Sequence, residues 1–277
     1  MKKAINVWSF PNEYNLQKCM EVAKDAGFSC LELALGETGE VSLKSTDNEI
    51  LSIKQMADDN DIELTSLASG LYWTYSLTSN DKATREKSLV ILKRQLEIAS
   101  LLNVSSILVV PGCVNAEFAS PEIVSYDIAY DRALDAISSV ADYAKDCGVK
   151  IGLENVWNKF LLSPLEMRDF IDKINNPFVG VYFDIGNVLQ TGYPQHWINI
   201  LGERIVNIHI KDFKNSIGNI NGFVDLLAGD VDFKAVMDSI RRIGYNSYII
   251  AEMGGYNQAK DQIIYNTSAA MDRIFKL

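Results

Sequence analysis

Along the 277 residues the apolar positions keep changing period, from alternation or short continuous runs to spacings of three and four. Strand-like runs fall at 4–10, 29–35, 62–68, 105–112, 149–156, 178–186, 205–212 and 247–255. Between them lie stretches with apolar residues at i, i+3 and i+4, among them 16–27, 85–102, 129–148 and 233–244. The punctuation agrees with this reading. Gly27, Gly148 and Gly244 each follow a helical run and precede the next strand, where a left-handed residue ends a helix. Ser163 with Glu166 reads as a capping box, and Pro164 sits at the first helical position, where its missing N–H costs nothing. Eight strand–helix units in one chain of this length predict an α/β fold, a single-domain (β/α)8 TIM barrel over residues 1–277. The rival, an open doubly wound sheet, usually has a glycine-rich phosphate loop after its first strand. Here that strand leads into Ser-Phe-Pro-Asn-Glu-Tyr-Asn, which has no glycine.

Composition narrows the function without changing the fold. A formal net charge of −10 repels phosphate backbones and argues against a nucleic-acid partner. A small acidic or phosphorylated substrate stays compatible, because a pocket can differ in sign from the surface around it. The four cysteines, Cys19, Cys30, Cys113 and Cys147, show no paired spacing, so neither a disulfide framework nor a zinc finger is expected. Cys30 and Cys113 lie in or beside apolar runs and read as small buried side chains. No apolar run approaches the ~18 residues of a membrane span, and the opening run is cut by Pro11 before it could serve as a signal peptide. The expectation is a reduced, cytoplasmic enzyme or binding protein.

In such a barrel the chemistry comes from the C-terminal ends of the strands. Strand five ends in Leu153-Glu154-Asn155 and strand six in Phe183-Asp184-Ile185-Gly186-Asn187. Strand seven carries His209, with Lys211 and Asp212 beyond it, and strand eight ends in Ala251-Glu252-Met253. Each residue has an ordinary reading on its own: His209 as a satisfied core residue, Glu154 or Glu252 as a rim charge, Asp184 as a helix cap. Together they place one metal-competent side chain on each of four successive strand ends. Four buried polar groups without a shared partner would be costly. Three carboxylates and one imidazole suit Mn²⁺, Mg²⁺ or Co²⁺ better than a closed structural zinc site. His196, the other histidine, lies in the helical stretch Tyr-Pro-Gln-His-Trp-Ile-Asn-Ile-Leu and is given a structural role.

The stretches Gly-Leu-Glu-Asn-Val-Trp-Asn-Lys-Phe, Val-Tyr-Phe-Asp-Ile-Gly-Asn and Arg-Ile-Val-Asn-Ile-His-Ile-Lys-Asp also resemble the xylose isomerase-like sugar phosphate isomerase/epimerase superfamily. So does the segment from Gly229 to Met253, and the resemblance spans nearly the whole chain. Asp-Ile-Gly-Asn and Gly-Asp-Val-Asp-Phe are most similar to the L-xylulose/L-ribulose 5-phosphate 3-epimerase group. The resemblance implies one divalent metal, Mn²⁺ first and Mg²⁺, Co²⁺ or Zn²⁺ as alternatives, held by Glu154, Asp184, His209 and Glu252. It implies a small sugar or sugar phosphate as substrate and a homo-oligomer, dimer or tetramer. Free-ketose 3-epimerases usually have His where this chain has Asn187, and an arginine where it has Lys214 and Asn215. The phosphopentose epimerases carry arginines after strand three, where this chain has Leu71-Tyr72-Trp73-Thr74-Tyr75.

The reaction expected is 3-epimerisation of a ketose or ketopentose 5-phosphate. Glu154 and Glu252 would take a proton from one face of the carbon and return one to the other, while a divalent cation stabilises the enediolate. Asn187, Lys211, Trp73 and Tyr72 are the expected substrate contacts, with Tyr72, Trp73 and Tyr75 as an apolar wall. Asp212 is expected to orient His209 or Lys211 from behind, and Asn155 to support the ligands beside it. Aldose–ketose isomerisation and inosose-type dehydration share the same intermediate and compete as readings. A non-catalytic sugar-binding barrel also competes, but such a protein has no need of both glutamates. An apurinic endonuclease of the same superfamily needs a three-zinc, histidine-rich cluster that two histidines cannot build.

Overall fold

The computed structural model describes residues 1–119 and 121–277. Eight parallel strands close into a barrel: β1 (Lys2–Asn6), β2 (Cys30–Leu35), β3 (Glu63–Ser69), β4 (Ser106–Val109), β5 (Lys150–Glu154), β6 (Val179–Asp184), β7 (Ile205–Ile210) and β10 (Tyr248–Ala251). The order around the barrel is β1-β10-β7-β6-β5-β4-β3-β2, back to β1. The missing labels belong to β8 (Asp212–Phe213) and β9 (Phe223–Val224), a short antiparallel ribbon in the loop after β7. All eight sequence-predicted strands are present; β3 is as long as its apolar run and shifted by one residue, and the other seven are shorter than theirs. The strand four run of 105–112 supports pairing only at Ser106–Val109, because strands splay into their loops at the C-terminal mouth.

The helices follow their stripes. α1 (Leu16–Asp25) buries Cys19, Met20, Val22 and Ala23, and α2 (Asp47–Asp59) starts with a complete capping box between Thr46 and Glu49. A single turn, α3 (Leu71–Thr74), precedes α4 (Lys82–Leu101). α5 (Tyr126–Cys147) buries an alanine-rich face, Ala129, Ala133, Ala141 and Ala144, which lets it lie close to the barrel. Next come α6 (Pro164–Ile174), α7 (Ile185–Val188), α8 (Pro194–Leu201), α9 (Phe233–Arg242) and α10 (Gln262–Ile274). Gly27, Gly148 and Gly244 all have positive φ at the helix ends named from sequence. Ser163 caps α6 through the Glu166 amide, but only half of the expected box forms. The Glu166 carboxylate instead accepts from Leu162 N and from Tyr126 Oη, which ties α6 to α5. Cys113 is half-buried rather than buried, because it lies in the loop after β4 and not under a helix.

Strand parity sorts the core into two parts. Ile5, Leu31, Leu33 and Ile208 pack under the helices, while Ala4, Cys30, Ala68, Leu108, Tyr182 and Ile250, on the opposite face of their strands, fill the barrel itself. Gly152 makes room for the Tyr182 ring inside, since a Cβ there would lie 2.9 Å from Tyr182 Cδ2. Above this apolar plug the inward positions turn polar.

Candidate active site

Glu154 ends β5, Asp184 ends β6, His209 sits one residue before the end of β7, and Glu252 follows β10 directly. These strands are consecutive neighbours in the barrel, so the four side chains form one row with Asp184 and His209 between the two glutamates. One ligand-capable atom from each lies within 4.8 Å of the others. His209 Nδ1 faces Glu252 Oε2 at 3.1 Å, Glu154 Oε1 at 3.8 Å and Asp184 Oδ2 at 3.9 Å.

The other edge of the imidazole is held by a residue absent from the sequence expectations. His209 Nε2 lies 2.7 Å from Glu32 Oε2, with both side chains sealed from solvent. Glu32 also accepts from Asn6 Nδ2 at 2.5 Å, from Ser66 Oγ at 2.6 Å and from Tyr182 Oη. A carboxylate with these donors around it is an acceptor, so the His209 proton stands on Nε2. Nδ1 is then the edge that faces the row of carboxylates, and it would offer its lone pair to a cation bound there.

The charges are strongly coupled. Burial opposes ionisation of Glu32, but His209, Ser66 and Tyr182 outweigh it and lower its pKa. Burial likewise opposes a charge on His209, and Glu32, Glu154 and Glu252 outweigh it, raising the ring well above its usual value. Burial raises Glu154, while Lys211 and His209 overcome burial at Glu252 and hold that carboxyl low. Lys211 Nζ stands 2.7 Å from Glu252 Oε2 and 2.9 Å from Asp184 Oδ2, over the Phe223 ring. These carboxylates outweigh burial and keep the ammonium charged.

Two buried atoms of the row, Asp184 Oδ2 and His209 Nδ1, have no partner in hydrogen-bond geometry. Lys211 approaches Asp184 as a charge without aligning a donor. Orphaned buried atoms of this kind are rare in a folded interior. Both point into the same space, lined by oxygen and imidazole donors, which is the chemistry of a divalent-cation site. Glu154, Asp184, His209 and Glu252 therefore fit such an ion.

The remaining expected residues divide. Asn155 clamps β6: its Nδ2 donates to the Asp184 carbonyl and its Oδ1 accepts from Asp184 N, each at 2.8 Å. Asn187 N donates to Asp184 Oδ1 at 2.8 Å, and its Nδ2 donates to the Asn155 carbonyl at 3.0 Å. Gly186 is required between them, because a Cβ there would meet Lys211 Cβ at 2.6 Å. Trp73, Asn187 and Lys211 line a cavity of about 170 Å³ with Glu154, Glu252 and Phe223. Tyr72 does not. It is buried beneath the mouth and donates to Gln95 Oε1 at 2.6 Å, while Tyr75 donates to Glu37 at 2.8 Å. Residues 71–74 form a helical turn, which points successive side chains about 100° apart, so Trp73 alone of the three reaches the cavity. Asp212 is also elsewhere. It accepts from the amides of Phe213, Gly229 and Val231 at 2.9, 2.9 and 3.2 Å and pins the loop after β7, so its carboxylate is spent on backbone amides and not on the side chain of His209 or Lys211. Gly229 is required there, since a Cβ would fall 2.1 Å from Asp212 Oδ1. His196 is exposed on α8 against Tyr193.

A parallel (β/α)8 barrel with a carboxylate–imidazole cage at its C-terminal mouth defines the class. The chain belongs to the xylose isomerase-like TIM barrel family, whose model matches residues 20–273. An L-ribulose-5-phosphate 3-epimerase of Salmonella heidelberg is 23% identical over 256 residues, covering 85% of this chain and 81% of that protein. An uncharacterised protein of Methanocaldococcus jannaschii is 24% identical over 246 residues, covering 86% and 79%. Among solved structures, D-psicose 3-epimerase of Clostridium cellulolyticum, crystallised with D-tagatose, superposes with a TM-score of 0.79 at 19% identity, covering 99% and 98% of the two chains. At that identity the likeness is one of fold. No helix among the described residues is long and apolar enough to cross a membrane.

Proposed function

We propose that this protein is a divalent-cation-dependent sugar epimerase that inverts the carbon next to the carbonyl of a ketose. The observation that carries the reading is the row of four: two glutamates at its ends, with Asp184 and the Nδ1 edge of His209 orphaned between them. Glu154, Asp184, His209 and Glu252 would hold the ion, and the oxygen-rich set favours Mn²⁺ or Mg²⁺. When bound, the ion would act as a Lewis acid on the substrate carbonyl and lower the cost of the charge that deprotonation leaves there.

The chain's own groups supply the proton chemistry. A substrate over the middle of the row has a carboxylate on each side. One glutamate takes the proton from the carbon, and the C–H electron pair passes into the enediolate. The other glutamate, in its acid form, returns a proton to the opposite face. The two then exchange roles for the reverse reaction or relay the proton to solvent, which reaches Glu252 more readily than Glu154. Lys211 holds Glu252 ionised and offers an ammonium to a substrate oxygen. Trp73 closes the cavity wall through its edge contact with Phe118 at 5.0 Å.

The test is incubation of the Mn²⁺-loaded protein with free and phosphorylated ketoses in D₂O. The expected products are C3 epimers carrying one deuterium at C3. An aldose product would make the protein an isomerase, and loss of water would make it a dehydratase. Failure to bind Mn²⁺ or Mg²⁺ would leave a non-catalytic sugar-binding barrel.

A further inference from the structure

A second and larger cavity, about 450 Å³, adjoins the one over the cage. The two share Phe118, Val156, Trp157, Asn187 and Ile220 as a common wall. The larger one is built from Asn115–Phe118 in the loop after β4, the segments after β5 and β6, Trp197 of α8 and Gly218–Ile220. Its size lies within the ~300–1,000 Å³ typical of small-molecule sites. Trp157, Leu162 and Ile220 give it apolar faces, and Gln190, Thr191 and Asn219 give it neutral polar groups.

Its charge is as informative as its size. Neither cavity is lined by an arginine among the described residues. Lys159 in the larger one donates to Glu117 Oε1 at 2.9 Å and Asn115 Oδ1 at 3.0 Å, and Lys211 in the smaller is held by Asp184 and Glu252. Barrels of this kind often grip a phosphate with backbone amides after the last strands. After β7, however, the amides of Phe213, Gly229 and Val231 are taken by Asp212, and that of Asn215 by Asp230. A phosphate there would meet carboxylates. The loop after β7 therefore disfavours a phosphate, and the larger compartment offers space without a free cation beside the reacting centre among the described residues.

We propose that the substrate is a keto sugar bearing a second, uncharged sugar ring. This ring fills the larger compartment, with its apolar face on Trp157 and its hydroxyls on the neutral polar side chains, while the reacting carbon stands over the cage. The inference rests on the epimerase reading above and narrows its substrate class.

Keto-disaccharides test it directly. The Mn²⁺-loaded protein is assayed for C3 deuterium incorporation with lactulose, isomaltulose, D-fructose and L-ribulose 5-phosphate, and binding of each is measured separately by calorimetry. Binding energy from a remote ring should raise kcat/KM for a disaccharide over D-fructose by about ten-fold or more. Leu162→Trp and Thr191→Trp, both at exposed positions that intrude on the compartment, should cut that preference by about the same factor. Preference for D-fructose or L-ribulose 5-phosphate, or a disaccharide preference untouched by both variants, overturns the inference and leaves the epimerase reading intact. Tight disaccharide binding without exchange upholds the compartment and overturns the epimerase reading. Neither binding nor exchange of a disaccharide overturns the inference.

Discussion

Two clusters of buried polar groups meet at His209, and they are built on opposite terms. Below the ring, Glu32 collects hydrogen bonds from Asn6, Ser66, Tyr182 and His209 Nε2, and both of its oxygens are engaged. Above the ring, His209 Nδ1 and Asp184 Oδ2 have charged neighbours in Glu252 and Lys211 but no partner in hydrogen-bond geometry among the described residues. Burial does not separate the two clusters, because Glu32, Asp184 and His209 all have no exposed surface. Pairing does. A satisfied network is how a barrel interior tolerates polar residues, and an unsatisfied one is how it holds a place for something else. The same imidazole serves as structure on one edge and as a candidate ligand on the other.

The sharpest way to break this comparison is to change the upper cluster at constant shape. Glu252→Gln and Glu154→Gln should each lower the rate of C3 deuterium exchange by ~10²–10⁴-fold, the usual worth of positioned acid–base groups. A variant exchanging at near-normal rate would remove that glutamate from the proton chemistry. The next effect is on stability. Mn²⁺ at about 100 times its dissociation constant should stabilise the fold by ~2.7 kcal/mol, read as a shift in the urea midpoint. Asp184→Asn should largely abolish that shift. If Mn²⁺ left the midpoint of the parent protein unmoved, the orphaned atoms would need another explanation.

Changing the lower cluster should act through the upper one. Glu32→Gln keeps the shape but loses the charge that holds the His209 proton on Nε2. Loss of such a partner typically weakens metal binding by ~10–100-fold, which calorimetry would measure. Unchanged Mn²⁺ affinity in Glu32→Gln would mean that the two clusters are independent and merely share a ring.

The same distinction explains how much could be read from the chain. The eight strands were legible because barrel strands carry nearly continuous apolar runs between capped helices, and the four cage residues because each ends such a run. Glu32 was hidden in Cys-Leu-Glu-Leu-Ala-Leu, where one acidic residue looks like a rim charge. The signal was parity: Glu32 shares its face with Cys30 and Ala34, the small inward residues, and not with Leu31, Leu33 and Leu35. Tyr72 and Asp212 misled for the opposite reason. Both lie in elements too short to show a period, the single turn α3 and the two-residue β8, and each found a partner inside the protein, Gln95 for one and three backbone amides for the other.

The smallest effect should come from the N-terminal end of the barrel, where a carboxylate is paired but open to water. Glu63 accepts from Lys2 Nζ at 2.5 Å and from Tyr248 Oη, with its side chain 43% exposed. Partial burial raises its pKa, but the bonds from Lys2 and Tyr248 outweigh this and leave it lowered in the folded protein. A depressed folded value contributes stability above the unfolded carboxylate pKa of about 4.3, and that contribution is lost as pH falls through the folded value. Glu63→Gln should therefore cost stability at pH 7, and the urea curves of parent and variant should converge in acid. Solvent screening limits the difference at pH 7 to about 1 kcal/mol or less. A larger penalty, or one that persists at low pH, would mean that Glu63 acts through packing around Tyr248 and Cys30 rather than through its charge. The division between paired and unpaired carboxylates would then have to be drawn by contact as well as by hydrogen bonding.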